Sequence, residues 1–509
     1  MQVNQIMTKA IVMVALFLGL SSSSEAQSRW GNCKMLMSTQ TGGMVFGADT
    51  TVPYLGDFIY PYMGSNNCQL CDSLGNIVLY GSSKNLYQWG SDDTLLPNTI
   101  FYQGNYGATA PNQPKTCLLL PMPGNDSLVY YVKTTFDVTC PLSSCTCAKQ
   151  LNYSIVNMNA DSGRGALLFP IDNTILEDRY NVNGMAVAQH ANGRDWWIVV
   201  KGVDRNFYDF VLLDSAGIRF DHRQYFGSYD PLHLGANALQ YFSRDASLFV
   251  CTLNRTIDVY QFNRCEGLYY NKRSFEEWDL PAGITSANIS PNNRYLYVSA
   301  YDTLWQYDLG ANSLLDSRVF IAHSFYDSIV SPYFYSKFYQ GFDAPDGKIY
   351  ISNFPYGTHI HAINNPDEGG AACNFDMNNF PMGTYWNAGV EYWRYGAGFP
   401  FLATYGLGAL QDSCYRGFVG IGEQGASDVL AVLGLVIYPN PAATQLTLYW
   451  DGTEPARISI YNTLGQLVLT QAITYANTSF DISRLASGIY TLQLIDAKGR
   501  SAVRKWVKE

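Results

Sequence analysis

Charge is scarce in this chain. Asp, Glu, Lys and Arg together make up 15% of its 509 residues, against about 25% in an ordinary globular protein. The formal net charge is −10. An acidic surface argues against nucleic acid, whose phosphates call for a basic one. Long apolar runs are scarcer still. The run Ala10–Leu20 is well short of the about 20 apolar residues that cross a bilayer, and no later stretch exceeds it in that respect, so no transmembrane helix is expected in the mature chain. Several catalytic signatures are also missing. There is no Gly-x-Ser-x-Gly to present a hydrolase nucleophile, no His-Glu-x-x-His to hold zinc, and no glycine-rich loop to cradle phosphate.

Aromatic residues are abundant, at 15% with 38 Tyr. They sit in short alternating runs broken by Asp, Asn and Gly, the pattern of half-buried strands and tight turns. One unit restarts along the body: an apolar strand, a turn, an aromatic strand, another turn and strand. Copies begin around Cys71–Trp89, Leu118–Thr134, Met185–Gly202, Ala238–Phe262, Ala287–Leu309 and Gly341–Ile363. Their turn marks, Gly75, Gly124, Gly193, Asp245, Asn292 and Asp346, recur at a spacing of roughly 50 residues, with one longer step that holds a cysteine-rich loop. A single sheet of this kind cannot bury both faces. Packing copies face to face around an axis buries them all, which predicts an all-β chain built on a β-propeller. Six copies are visible. A seventh blade is expected from Val390–Gly406 closed by N-terminal strands near Lys34–Phe46.

The two ends differ from the body. Lys9, the run Ala10–Leu20, the serines 21–24 and the small residue Ala26 form a secretory signal, with cleavage expected between Ala26 and Gln27. No Cys follows the cleavage point directly, so a lipid anchor is not expected. At the other end, Val436–Tyr438 meets the turn Pro439-Asn440-Pro441, and short strands follow to a basic finish at Lys498, Arg500, Arg504, Lys505 and Lys508. This reads as a small β-sandwich. The expected division is a signal over 1–26, the propeller over 30–414, a linker over 415–434 and the tail over 435–509.

There are eleven cysteines. In an exported chain they are expected to form disulfides, and an odd count leaves at least one unpaired. Cys251 and Cys265 flank a hairpin and are the expected pair. Cys140, Cys145 and Cys147 crowd one loop. Cys68 and Cys71 with Cys145 and Cys147 could supply four thiolates to zinc, but their spacing is looser than paired zinc knuckles and oxidation competes. No cofactor or metal is expected.

Three stretches carry titratable groups worth weighing. His190 and Asp195 could form an acid–base pair, but Asn192-Gly193 between them is a hairpin turn and no nucleophile accompanies them. The turn is the preferred reading, with Trp196 and Trp197 packing on opposite faces of the next strand. His359 and His361 alternate on a strand and could share a face, yet lack a third ligand. Asp343-Ala344-Pro345-Asp346-Gly347 has the look of a calcium loop without enough oxygen ligands, and reads as a turn.

Two resemblances add to this. Pro439-Asn440-Pro441, Tyr461–Val468 with Gly465, Phe480–Tyr490 with Gly488 and Tyr490, and the final Lys505-Trp506-Val507-Lys508 resemble, in order, the C-terminal sorting domain of the type IX secretion system. The resemblance implies passage across the outer membrane to the surface or the medium, partnership with the secretion machinery, and removal of the tail by its sortase-like peptidase. Much of Cys68–Leu309 looks like the propeller region of other exported proteins with such tails, a group that brings no catalytic residues with it. The Ser-x-Asp-x-Gly-x-Thr-Trp boxes of sialidases do not recur. The expected function is a secreted or surface propeller that binds or scaffolds, with an extracellular glycan or surface protein as partner, through the loop-rich face or the central channel. The rivals are a surface hydrolase or lyase acting on polysaccharide or peptide with carboxylates drawn from separate blades, and a structural component of the secretion or motility apparatus.

Overall fold

The computed structural model describes residues 29–37, 43–47, 51–54, 67–82, 86–88, 115–137, 147–168, 173–203, 206–228, 239–279, 283–324, 337–354, 359–381, 384–387, 390–393, 399–410, 436–438, 442–449, 456–463, 466–473, 477–497 and 501–509. Among them are strands and three short 3₁₀ turns, with no α-helix. No helix there is long and apolar enough to cross a membrane.

The body is a series of antiparallel meanders. Sheet A joins Trp30–Gly31, Cys68–Asp72, Ile77–Gly81 and Leu86–Gln88. Sheet B joins Cys117–Met122, Asn125–Asp137, Cys147–Asn157 and the first part of the long strand Asn173–Gln189. That strand then changes partner. Residues 173–180 pair with Cys147–Asn157, whereas Met185–Gln189 pair with Trp196–Val200 and open sheet C, completed by Phe207–Asp214 and Gly217–Tyr225. One strand is thus the outer member of sheet B and the inner member of sheet C. Sheet D holds Leu239–Phe242, Leu248–Leu253, Thr256–Asn263 and Leu268–Glu276; sheet E holds Ser286–Ile289, Tyr295–Ala300, Thr303–Asp308 and Val319–His323. Sheet F holds Lys337–Asp343, Ile349–Phe354, His359–Ile363 and Phe375–Pro381. A three-stranded sheet, N, holds Met35–Met37, Gly43–Phe46 and Thr51–Tyr54.

Period two decides how these sheets stack, because successive side chains leave a strand on opposite faces. On Cys117–Met122, Cys117 and Leu119 pack toward sheet A with Leu70 and Leu79. Leu118 and Leu120 pack the other way, toward sheet C with Trp196 and Ile198. Trp197 leaves the opposite face from Trp196 and meets sheet D at Phe249, Tyr260 and Phe262. Sheet D meets sheet E through Val250, Val259, Leu296 and Val298, and sheet E meets sheet F through Tyr297, Leu304, Ile349 and Ile351. The series then closes on itself. Met44 and Phe46 of sheet N share one core with Tyr350 and Ile360 of sheet F and with Ile77 and Tyr80 of sheet A. A closed cycle of face-packed antiparallel sheets is the propeller architecture, with short edges outward and inner strands toward an axis.

Val390–Trp393 does not complete a blade with residues 34–46. Among the described residues it pairs with Thr384–Asn387 in a two-stranded ribbon, and residues 399–410 join no sheet, making isolated bridges from Phe401 to Cys68 and from Ala409 to Asn192. N-terminal strands do supply sheet N, wedged between sheets F and A.

Buried acids tie neighbouring strands together. Asp209, fully buried, accepts from Tyr180 Oη at 2.7 Å and from Arg223 Nε at 2.6 Å. Asp258 accepts from Tyr260 Oη at 2.7 Å, Ser274 Oγ at 2.6 Å and the Ser228 amide at 2.7 Å. Glu277 accepts from Tyr307 Oη at 2.6 Å and Arg318 at 2.7 Å. A buried carboxylate survives only when hydrogen-bonded and paired in this way.

The expected Cys251–Cys265 pair does not form. Cys251 is a free, buried thiol in the core between sheets C and D, while Cys265 is disulfide-bonded to a different cysteine. The hairpin register explains it: Cys251 lies opposite Asp258, well short of the Cys265 turn. Cys71 is joined to Cys33, which removes it from any zinc quartet with Cys68.

The tail has its own core. A three-stranded sheet (Val436–Tyr438, Gln445–Tyr449, Asn477–Asp481) faces a four-stranded one (Leu467–Ile473, Ala456–Tyr461, Gly488–Asp496, Ser501–Lys508). Between them lie Leu446, Leu448, Ile458, Ile460, Leu492, Leu494 and Trp506. Tyr490 stacks on Trp506 with centroids 5.1 Å apart and donates to the Ala486 carbonyl at 2.8 Å. Gly488 starts its strand, Lys505 lies in the final strand opposite Thr491, and Lys508 is largely buried. Pro439, Asn440, Pro441 and Gly465 lie outside the described residues, as do Ala26 and Gln27.

Candidate functional site: an axial cavity

The inner strands of sheets C to F end around a cavity of about 170 Å³. Its walls come from Ala186–Gln189, Gln240–Arg244, Asn288 and Gln340–Pro345, and Phe399–Thr404 and Leu407 line one side. Inner-strand residues that face a neighbouring sheet are apolar, as at Tyr241 and Ala287. The cavity lining also includes polar, buried side chains: Gln240, Asn288 and Gln340.

Two opposite charges enter this space. Lys115, just ahead of Cys117–Met122, has a left-handed backbone (φ 60°) and a buried side chain. Its ammonium donates to the Gln240 carbonyl and lies 3.3 Å from the centroid of the Tyr241 ring, a cation–π contact strengthened by desolvation. Asp343 accepts from Asn288 Nδ2 at 3.2 Å, and Asn288 in turn accepts from Ser286 Oγ at 2.6 Å. Desolvation moves both groups toward neutrality. Burial pulls Lys115 down to about 7, with the Asp343 charge opposing, and pushes Asp343 up to about 7, with Asn288, Lys115 and Arg244 opposing. Gly341 permits this crowding, since a Cβ there would overlap Asn288 Oδ1 and Ser286 Oγ.

Gln240 is one of several exceptions, among the described residues, to the rule that buried polar groups are paired, and it stands out in that both of its side-chain polar atoms are involved. Its side chain is fully buried, and neither its Nε2 nor its Oε1 has a hydrogen-bond partner among the described residues.

The covering segment is held by side-chain amides. Gln340 grips both sides of one residue: Phe399 N–H donates to Oε1 at 3.0 Å, and Nε2 donates to the Phe399 carbonyl at 3.3 Å. Asn32 does the same to Tyr405, at 2.9 and 3.0 Å. Gln189 accepts the Leu407 N–H at 3.0 Å, and Arg264 donates to the Gly408 carbonyl at 3.2 Å.

The residues weighed from sequence are elsewhere. The His190 N–H donates to the Asp195 carbonyl at 2.7 Å across the turn; Asp195 accepts from Asn192 at 2.6 Å and from Arg194 at 2.7 Å; His190 Nε2 contacts the Cys265 carbonyl at 3.0 Å. This is a tied hairpin. His361 is fully buried, its Nε2 sits 3.0 Å from Asn353 Oδ1, and burial lowers it to about 3. Asp346 shapes a turn, accepting from the Lys348 amide at 3.1 Å and Tyr350 Oη at 2.8 Å. Its neighbour Asp343 reaches the cavity, which the turn reading of that stretch did not separate. No group of three or more His, Cys, Asp or Glu suited to a metal occurs among the described residues.

Residues 436–509 match the family described as the secretion system C-terminal sorting domain. No curated protein matches the chain. Among solved structures it is similar to PorZ of Porphyromonas gingivalis, described as an essential bacterial surface component of the type-IX secretion system, at 10% identity over 93% of this chain and 69% of that one, TM-score 0.27. It is similar to a protein from Lactobacillus plantarum at 12% identity over 72% and 98%, TM-score 0.39, and to the Cps50 (Swd1) β-propeller domain of Myceliophteria thermophila at 8% identity over 64% and 94%, TM-score 0.36. Likenesses this distant transfer no function, and the ring architecture rests on the packing of the sheets described above. The chain is an exported β-propeller protein that carries a type IX secretion C-terminal sorting domain at residues 436–509 and is delivered to the cell surface or released.

Proposed function

We propose that the mature protein is a seven-bladed binding module whose ligand enters the axial cavity. In this reading residues 1–26 are removed after Ala26, residues 30–414 form the ring with sheet N as its seventh blade, 415–434 link it to the tail, and the sortase-like peptidase detaches 435–509 outside. The observation that carries the cavity assignment is the Gln240 amide, fully buried with both polar atoms unpartnered among the described residues. Leaving such a group unsatisfied costs about 1–3 kcal/mol, a cost that a bound polar ligand removes. Lys115 and Asp343 beside it supply one cation and one acid, which suits a small polar molecule better than a broad surface. The partner therefore narrows from an extracellular glycan or surface protein at large to a small polar compound, or one projecting group of a larger one.

The test is calorimetry of the full chain against a panel of hexoses, N-acetylhexosamines, amino acids and dipeptides, repeated with Gly341→Val, whose side chain would collide with Asn288 and Ser286 and so disrupt the cavity wall, with an unchanged Tm of the ring transition checked for the variant. Binding that Gly341→Val abolishes supports the assignment. Binding that persists unchanged in that variant, or no binding by any member, sinks it.

A further inference from the structure

We propose that the axial cavity recognises an extended peptide residue, with Gln240 as the side chain that reads its backbone. This rests on the cavity being the ligand site and names the class of ligand.

In extended backbone, the N–H and C=O of one residue point to the same side. A carboxamide offers one acceptor and one donor in one plane, at a matching separation. Gln340 and Asn32 each use both atoms on a single residue, Phe399 and Tyr405, in that manner. The ring thus already grips the N–H and C=O of single residues in its own chain through side-chain amides from separate parts of the fold. Gln240 belongs to the same set. It stands on the inner strand of sheet D and lines the same cavity as Gln340. Its amide is buried and makes neither of the two bonds that its counterparts make.

Geometry separates peptides from other amides. The acetamido group of an N-acetylhexosamine is a single trans amide, whose N–H and C=O point in opposite directions. It can satisfy Gln240 at one atom only. A residue flanked by two peptide bonds satisfies both. The cavity, at about 170 Å³, has room for one small residue with its flanking amides.

The experiment titrates N-acetylalaninamide, dialanine, N-acetylglucosamine and glucose into the full chain, wild type and Gln240→Leu, by calorimetry and by NMR of the glutamine side-chain amides. Gln240→Leu keeps the volume and removes an unpartnered amide, so the fold is expected to hold; an unchanged Tm confirms that. The expected result is binding of N-acetylalaninamide, weakened about tenfold or more by Gln240→Leu, as loss of paired hydrogen bonds implies, with a shifted Gln240 amide resonance in the wild type. Three outcomes overturn the inference. Sugars binding as well as the peptide amides would reject the class while leaving the cavity as a site. Peptide binding indifferent to Gln240→Leu would reject the reader. No binding by any of the four would reject the inference, and the site with it if the wider panel also fails.

Discussion

Asp209 shows how much one residue holds. Its carboxylate lies at zero exposure between Tyr180 and Arg223, and removing it takes away the acceptor of the Tyr180 phenol and one of the two carboxylates that hold the Arg223 guanidinium, leaving Asp178. Breaking a buried pair from one side costs about 3–5 kcal/mol, so Asp209→Ala is expected to lose that much in chemical denaturation. A loss under about 1 kcal/mol would place the acid in a solvated, structurally idle position. Asp343 gives a pH signature instead. Burial raises its carboxyl from 3.8 to about 7. Between those values the folded protein keeps a proton that the unfolded chain has released, so stability falls as pH rises through the window. Lys115, lowered from 10.5 to about 7, acts in the opposite sense above it. There the unfolded chain holds the extra proton, and stability rises with pH. The Tm of wild type minus that of Asp343→Asn is therefore expected to fall from pH 4 to pH 7. A difference flat across that range would show that Asp343 titrates normally.

At the scale of elements, two pieces do unusual work. The strand Asn173–Gln189 serves two sheets, and its register break between Tyr180 and Met185 marks the change of partner. The segment 399–410 forms no sheet of its own, yet it bridges sheet F at Gln340, the N-terminal strand region at Asn32 and the end of sheet C at Gln189. Its order depends on those amides more than on its own propensity. Gln340→Leu is expected to cost about 1–3 kcal/mol, the range for stranding buried backbone groups, and to speed hydrogen exchange at the Phe399 amide while the sheet amides of Ile349–Phe354 keep their protection. Equal acceleration at both places would mean that the segment and sheet F open together rather than separately.

At the scale of the whole molecule, body and tail have separate cores. Every residue of the tail's core lies between Ile437 and Trp506, while the ring closes through Met44, Phe46, Tyr350 and Tyr80 without it. A chain ending at residue 434 is expected to keep the Tm of the ring transition within about 2 °C, since no core burial is lost. A drop beyond about 10 °C would make the tail an integral part of the ring.

Local patterning was readable in the letters. The turn marks are real: Gly75, Gly124 and Gly193 all adopt positive φ, at 86°, 78° and 73°, which is why glycine stands there. Trp196 and Trp197 divide between two cores as alternation requires. The sorting tail was legible because its turns and strands occur in one contiguous order. The sites were not. Lys115 sits in a stretch without pattern, Gln240 is one glutamine in an ordinary strand, and Asp343 reads as part of a turn; they meet only because separate sheets converge on an axis. The Cys251–Cys265 expectation failed for a local reason, since the hairpin register sets Cys251 opposite Asp258 and not near Cys265. Short-range rules thus determined the strands, the turns and the destination. Ring closure alone decided which side chains share the axis, because that depends on contacts such as Asn288 with Asp343, 55 positions apart, and Lys115 with Gln240, 125 apart, where sequence spacing carries no information.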